Sequence, residues 1–158
     1  MKEQILELSY RIYALDELPE ESRKLVDAAL EATRRSYAPY SHFYVGAAVK
    51  LDNGVIVTGN NQENVAFPSG LCAERTALFY ANAQYPEVPV KALAIVARDS
   101  SGKMTQAPIS PCGACRQVML ETENRFGKPM QILLASAEEV IVVERASALL
   151  PLAFSDIS

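Results

Sequence analysis

All three cysteines of this chain fall in two short motifs forty residues apart, Cys72-Ala73-Glu74 and Pro111-Cys112-Gly113-Ala114-Cys115. An odd number of thiols cannot pair completely. A lone cysteine answered by a C-x-x-C pair has the spacing of metal ligands rather than of a disulfide framework. A fold that uses the three together must bring the starts of two separate helices to one point, which excludes most arrangements the remaining sequence would allow. Three thiolates suit a zinc ion whose fourth position stays open to water, whereas a structural zinc site closes with four protein ligands. The single histidine, His42, lies thirty residues before Cys72 in a segment that reads as a loop entering a strand. It is the one alternative fourth ligand, because no other residue completes a four-ligand set by spacing. One Zn2+ per chain, held by Cys72, Cys112 and Cys115, is therefore expected.

Glu74 stands two residues after Cys72, beside such an ion without being one of its ligands. That is the placement of a carboxylate that moves protons for a metal-activated water. Its plainer reading is an acidic first-turn residue that favours the helix dipole. Three thiolates around a divalent ion leave an excess negative charge. Arg75 and Arg116 each directly follow a ligand motif, where they can donate hydrogen bonds to the sulfurs and drain that charge. Either arginine could instead face solvent.

The 158 residues suit one domain with a sizeable core. A net charge of −4 argues against tight binding to a phosphate backbone, so a polynucleotide substrate is not expected. No apolar run approaches the ~20 residues of a membrane span, no signal-peptide core follows Met1, and three thiols kept as ligands suit a reducing cytoplasm.

Leu6, Leu8, Tyr10 and Ile12 alternate with polar residues, predicting a half-buried strand over residues 5–13, with a helix as the rival. A linker at residues 16–19 leads to a helix of about fifteen residues opened by Glu20 and Glu21. Asp52-Asn53-Gly54 between apolar runs predicts a hairpin of strands 44–51 and 55–60. Further expectations are helices over 73–83 and from Ser110-Pro111 to Phe126, the first residue pair serving as N-cap and first helical position. Strands are expected over 90–97, 130–135 and 140–143, with a short helix from Ser147. Strands alternating with helices indicate an α/β layered fold around a mixed sheet.

The motifs resemble those of the cytidine deaminases, zinc enzymes whose signature ends in P-C-x-x-C. Tyr37 to Ala48 is similar to the family's first substrate segment, and Asn61-Gln62-Glu63-Asn64 to its N-x-E-N motif. Cys72 to Ala77 and Ser110 to Gln117 match nearly letter for letter, and Leu149 to Phe154 resembles the C-terminal segment. The resemblance implies a three-layer sandwich around a mixed sheet of about five strands, formed by residues 19–158. Residues 1–18 are then an extension with a possible extra strand. It implies a homotetramer with sites at subunit interfaces and a small nucleoside substrate, cytidine and deoxycytidine, in pyrimidine salvage. Carried over residue by residue, Phe43 packs on the pyrimidine and Asn61 and Glu63 bind the ribose 3′-hydroxyl. The Ala73 N–H takes the base carbonyl, Glu74 shuttles protons to ring N3, and Phe154 enters a neighbouring subunit's site. Read in isolation, Phe43 and Phe154 are core residues. Phe67, where a tyrosine is often found, and a longer stretch over 126–145 depart from the pattern. Two rivals remain: a deaminase of a cytosine-bearing antibiotic such as blasticidin S, and a zinc-stabilised binding module without turnover.

Overall fold

The computed structural model describes residues 1–157. Six strands form one sheet: β1 (Arg11–Ala14), β2 (Tyr44–Leu51), β3 (Ile56–Asn60), β4 (Val90–Arg98), β5 (Gln131–Ala135) and β6 (Glu139–Val143). Their order across the sheet is β1-β6-β5-β4-β2-β3, and only β4 and β5 run parallel. The chain crosses from β4 to β5 through helix α3 (Gly113–Phe126), the usual device for joining parallel neighbours.

Helix α1 (Glu20–Ala32) covers one face of the sheet, and α2 (Ala73–Gln84) and α3 cover the other. β4 shows why its sequence is apolar almost throughout. Leu93, Ile95 and Ala97 point into the α2–α3 core, while Ala92, Ala94 and Val96 meet α1. A strand covered on both faces has no solvent side to keep polar. Complete burial of Leu93 and Ile95 stabilises the fold by ~1.5–3 kcal/mol each.

Two glycines let the helices approach. A Cβ at Gly46 would lie 2.0 Å from the Ala29 carbonyl oxygen of α1. One at Gly59 would lie 2.5 Å from the Ala77 nitrogen and 2.9 Å from the Ala73 oxygen. The first turns of α2 are thus pressed onto β3, and this contact fixes where Cys72 and Glu74 sit.

The three-layer architecture agrees with the expectation, and the extra N-terminal strand is the sixth of the sheet. Two element starts differ by more than one residue. The strand predicted over 5–13 pairs only from Arg11 to Ala14, against Val142 to Glu139 of β6. Helix α3 begins at Gly113, with Cys112 rather than Ser110 as its N-cap, so Pro111 lies outside the helix. The Asn-Gly hairpin turn is present, with Gly54 at φ 87° and the Asn53 side chain accepting from the Val55 N–H.

Candidate metal and active site

Cys72 and Cys112 are the N-caps of α2 and α3, both with extended backbones and neither side chain making the capping bond to a backbone N–H of its helix. Both sulfurs are therefore free to turn towards a common point, and Cys115 joins them one turn into α3. The three Sγ atoms lie within 4.8 Å of one another, and Cys72 and Cys112 are 3.8 Å apart. Two thiolates at ~2.3 Å on a tetrahedral zinc stand about 3.8 Å apart, so the spacing fits that ion. A disulfide would need ~2.05 Å. Cys115 is fully buried, Cys72 half-buried and Cys112 exposed, which leaves one side of the cluster open. His42 is not part of this group, which is the one such group among the described residues.

The donor set behaves as a cluster in need of a cation. A hydrogen bond from Cys115 and another from Arg75 hold the Cys72 thiol at about 5, against the opposing effect of its burial. The bond to Cys72, together with burial, pushes the Cys115 thiol up. Cys72 and Cys115 do not both ionise on their own, and a divalent ion would supply the missing charge.

Glu74 is buried in the first turn of α2, and burial pushes its carboxyl above the ordinary glutamate value, with the Cys72 charge adding. Arg75 reaches the Cys72 sulfur at 3.8 Å, and its Nε is buried with no partner among the described residues. The Arg116 guanidinium donates to the carbonyls of Pro111 at 2.9 Å and Leu149 at 2.8 Å, bonds that tie it to the residue before Cys112 and to the C-terminal segment.

A cleft of about 520 Å³ opens beside Cys72 and Arg75, with Asn61, Glu63, Tyr40 and Phe67 in its wall. Asn61 accepts from the Val45 N–H at 2.9 Å and donates to the Phe43 carbonyl at 2.8 Å, clamping the start of β2. Those bonds use one of its two amide hydrogens. Glu63 accepts from the backbone N–H groups of Tyr40 and Ser41 and from the Ser41 hydroxyl, and that hydroxyl bond leads the interactions holding its carboxyl below the ordinary value. Ala73 is fully buried at the head of α2. Phe43 and Phe154 are outside the cleft wall, 38% and 69% exposed, so neither is the core residue that its type suggests. The Phe154 carbonyl is held by Gln117 of α3 at 2.8 Å, which ties the tail beside the helix that carries Cys115.

Sequence reasoning missed Glu123. This buried carboxylate accepts from the N–H groups of Met130, Ala146 and Ser147, fastening α3 to the chain on either side of β5 and β6. An acidic residue four positions after Met119, on the apolar side of the helix, was the available signal.

Residues 19–126 match the family model of the cytidine and deoxycytidylate deaminase zinc-binding region. The chain belongs to this family of zinc-dependent enzymes. Among the family's members, a cytidine deaminase of Sporosarcina psychrophila is 42% identical over 132 residues, covering 84% of this chain and 90% of the relative. A cytidine deaminase of Halalkalibacterium halodurans is 44% identical over 97 residues, 61% of this chain and 68% of the relative. The crystal structure of the cytidine deaminase from Burkholderia pseudomallei superposes with a TM-score of 0.72 at 41% identity, covering 87% of this chain and 100% of that one. The enzyme from Mycobacterium tuberculosis gives 0.67 at 33% identity, with coverage of 87% and 100%. Among the described residues no helix is long and apolar enough to cross a membrane.

Proposed function

We propose that this enzyme hydrolyses cytidine and deoxycytidine to uridine and deoxyuridine with release of ammonia, in cytoplasmic pyrimidine salvage. The observation that carries the reading is the buried Glu74 carboxylate beside three converging cysteine sulfurs at the edge of a cleft. Cys72, Cys112 and Cys115 would hold Zn2+, which when bound makes a water nucleophilic at neutral pH. Glu74 takes a proton from that water and delivers it to ring N3 as C4 is attacked. It then takes the proton of the hydroxyl now on C4 and passes it to the amine, which leaves as ammonia while the C4 carbonyl forms, so one carboxyl serves several transfers. Burial keeps this group out of bulk water, where its proton would be exchanged with solvent.

The Ala73 N–H, at the N-terminus of α2, is suited to the base carbonyl. Asn61 keeps an amide hydrogen, and Glu63 has lone pairs, for a ribose hydroxyl. Arg75 tempers the thiolates, and Arg116 supports their loop. Phe43 offers a ring face to the base, and the exposed Phe154 completes a site in a neighbouring subunit of a homotetramer. Residues 19–158 form the catalytic domain, and residues 1–18 are an N-terminal extension that adds β1 to its sheet.

Glu74→Gln tests the assignment. Zinc content should stay at one per chain, and turnover of cytidine should fall by at least roughly 10³-fold, several proton transfers each being worth ~10²–10⁴. Loss of zinc would make Glu74 a ligand or a support. Blasticidin S run in parallel with the wild-type enzyme should be a poor substrate, and preference for it would reject the nucleoside reading. Zinc binding with no turnover of either compound would leave only a binding module.

A further inference from the structure

Strand β1 is one edge of the sheet, and the chain reaches it through residues 1–10, which carry no regular secondary structure. Leu6, Leu8, Tyr10 and Ile12 share one side of this arm by alternation, yet they are 68%, 49%, 54% and 55% exposed. Ile12 pairs with Ile141, whose side chain packs against the α2–α3 core, so the apolar side of the arm continues that face of the sheet. An open edge strand extended by a bare apolar row is a template for pairing with another chain.

We infer that the arm pairs antiparallel with the same arm of a second copy of this chain, centred on Ser9, and joins the two sheets edge to edge. The register follows from side-chain chemistry. In an antiparallel pair, opposite residues share a face, so a two-fold axis falling between two residues would set the row Leu6, Leu8, Tyr10 and Ile12 against the other side of the partner arm, which carries Glu7, Ser9 and Arg11. Among the remaining registers, centring on Glu7 or Arg11 puts like charges opposite each other. Centring on Leu8 or Tyr10 leaves Glu7 and Arg11 opposite uncharged partners. Centring on Ser9 places Glu7 opposite Arg11 twice, Leu6 opposite Ile12 and Leu8 opposite Tyr10. The sequence of the arm is complementary to itself in this register, as an isologous contact requires. Arg11 already meets Glu144, just past the end of β6 in its own chain, at 2.5 Å in an exposed pair, and its five donors can serve a second carboxylate as well.

The symmetric centre gives the test. Opposite Cα atoms in an antiparallel pair stand ~4.5–5.5 Å apart, within disulfide reach. Ser9→Cys in the zinc-loaded full-length enzyme should therefore form a disulfide-linked dimer rapidly under mild oxidation, read on a non-reducing gel. Ile5→Cys lies on the same side of the arm but about 27 Å from its own copy in this register, and should react with a soluble thiol reagent without cross-linking. Wild-type protein should not cross-link through its native cysteines. Glu7→Arg added to Ser9→Cys should slow the linkage several-fold by setting arginines opposite each other. No dimer from Ser9→Cys, as an arm folded on its own chain or reserved for another protein would give, overturns the inference. Equal linkage of Ser9→Cys and Ile5→Cys would mark random collision and overturn it too, and linkage indifferent to Glu7→Arg would reject the register.

Discussion

Glu63 shows how much a single carboxylate can be asked to do. Its bonds to Ser41 and to the Tyr40 and Ser41 N–H groups shape the turn ahead of β2, where His42 takes a φ of 54°. These partners favour the ionised form and hold its carboxyl below the ordinary value. A folded-state value below the unfolded one, ~4.3, contributes stability that is complete above that pH and is lost as pH falls through the folded value. Glu63→Gln should therefore remove part of the loss of Tm that the wild-type protein shows as pH falls from roughly 5 through the lowered folded value. Parallel Tm–pH curves for the two proteins would show that the carboxylate does not support the turn. The sugar-binding assignment made for Asn61 and Glu63 could be reached from the motif alone, but their backbone clamps could not. Those depend on where residues 40–43 turn back, which no local pattern in the sequence encodes.

At the scale of elements, β3 and α2 behave as one unit because Gly59 has no side chain. A methyl group there would meet the backbone of Ala73 and Ala77, neither of which can swing aside like a flexible side chain. Gly59→Ala should push the head of α2 away from the sheet, costing about 1–3 kcal/mol of stability and weakening zinc retention against a chelator. A denaturation midpoint and metal retention both equal to wild type would show that the contact is slack. The element pattern was largely legible. The β2–β3 turn announces itself through Asn53-Gly54, and α3 stops at Gly127 in the left-handed conformation that glycine adopts readily. The start of α3 was misread because Ser110-Pro111 is a good local helix opening. The chain instead keeps Cys112 extended, which turns its sulfur towards Cys72. The alternation of residues 5–12 was legible as strand-like, but pairing needs a partner, and β6 supplies one only for the last part.

For the whole molecule the open question is where Phe154 acts. Its side chain is exposed while its backbone is anchored beside α3, a presentation suited to another subunit. Glu74→Gln and Phe154→Ala should each be nearly inactive alone. A Phe154→Ala chain keeps its own Glu74 and can receive Phe154 from a Glu74→Gln neighbour, so mixed oligomers isolated with two affinity tags should regain a sizeable fraction of wild-type activity. Verified mixed oligomers without activity would reject the shared site and leave the zinc chemistry untouched.

Cysteine at two helix N-caps has a consequence for the life of the protein in a cell. An oxygen-bearing cap residue satisfies orphan amides and is typically worth ~1 kcal/mol to a helix, and neither Cys72 nor Cys112 bonds its own helix in this way. A cation gathered by both sulfurs fastens both helix starts at once. When zinc is scarce, the same two starts become places where the chain opens locally and proteases gain access. Metal supply would then govern how long each copy survives as well as how fast it works. The half-life of the chain in zinc-starved and zinc-replete cells measures that dependence, and equal half-lives would mean that the rest of the fold holds the helices without help.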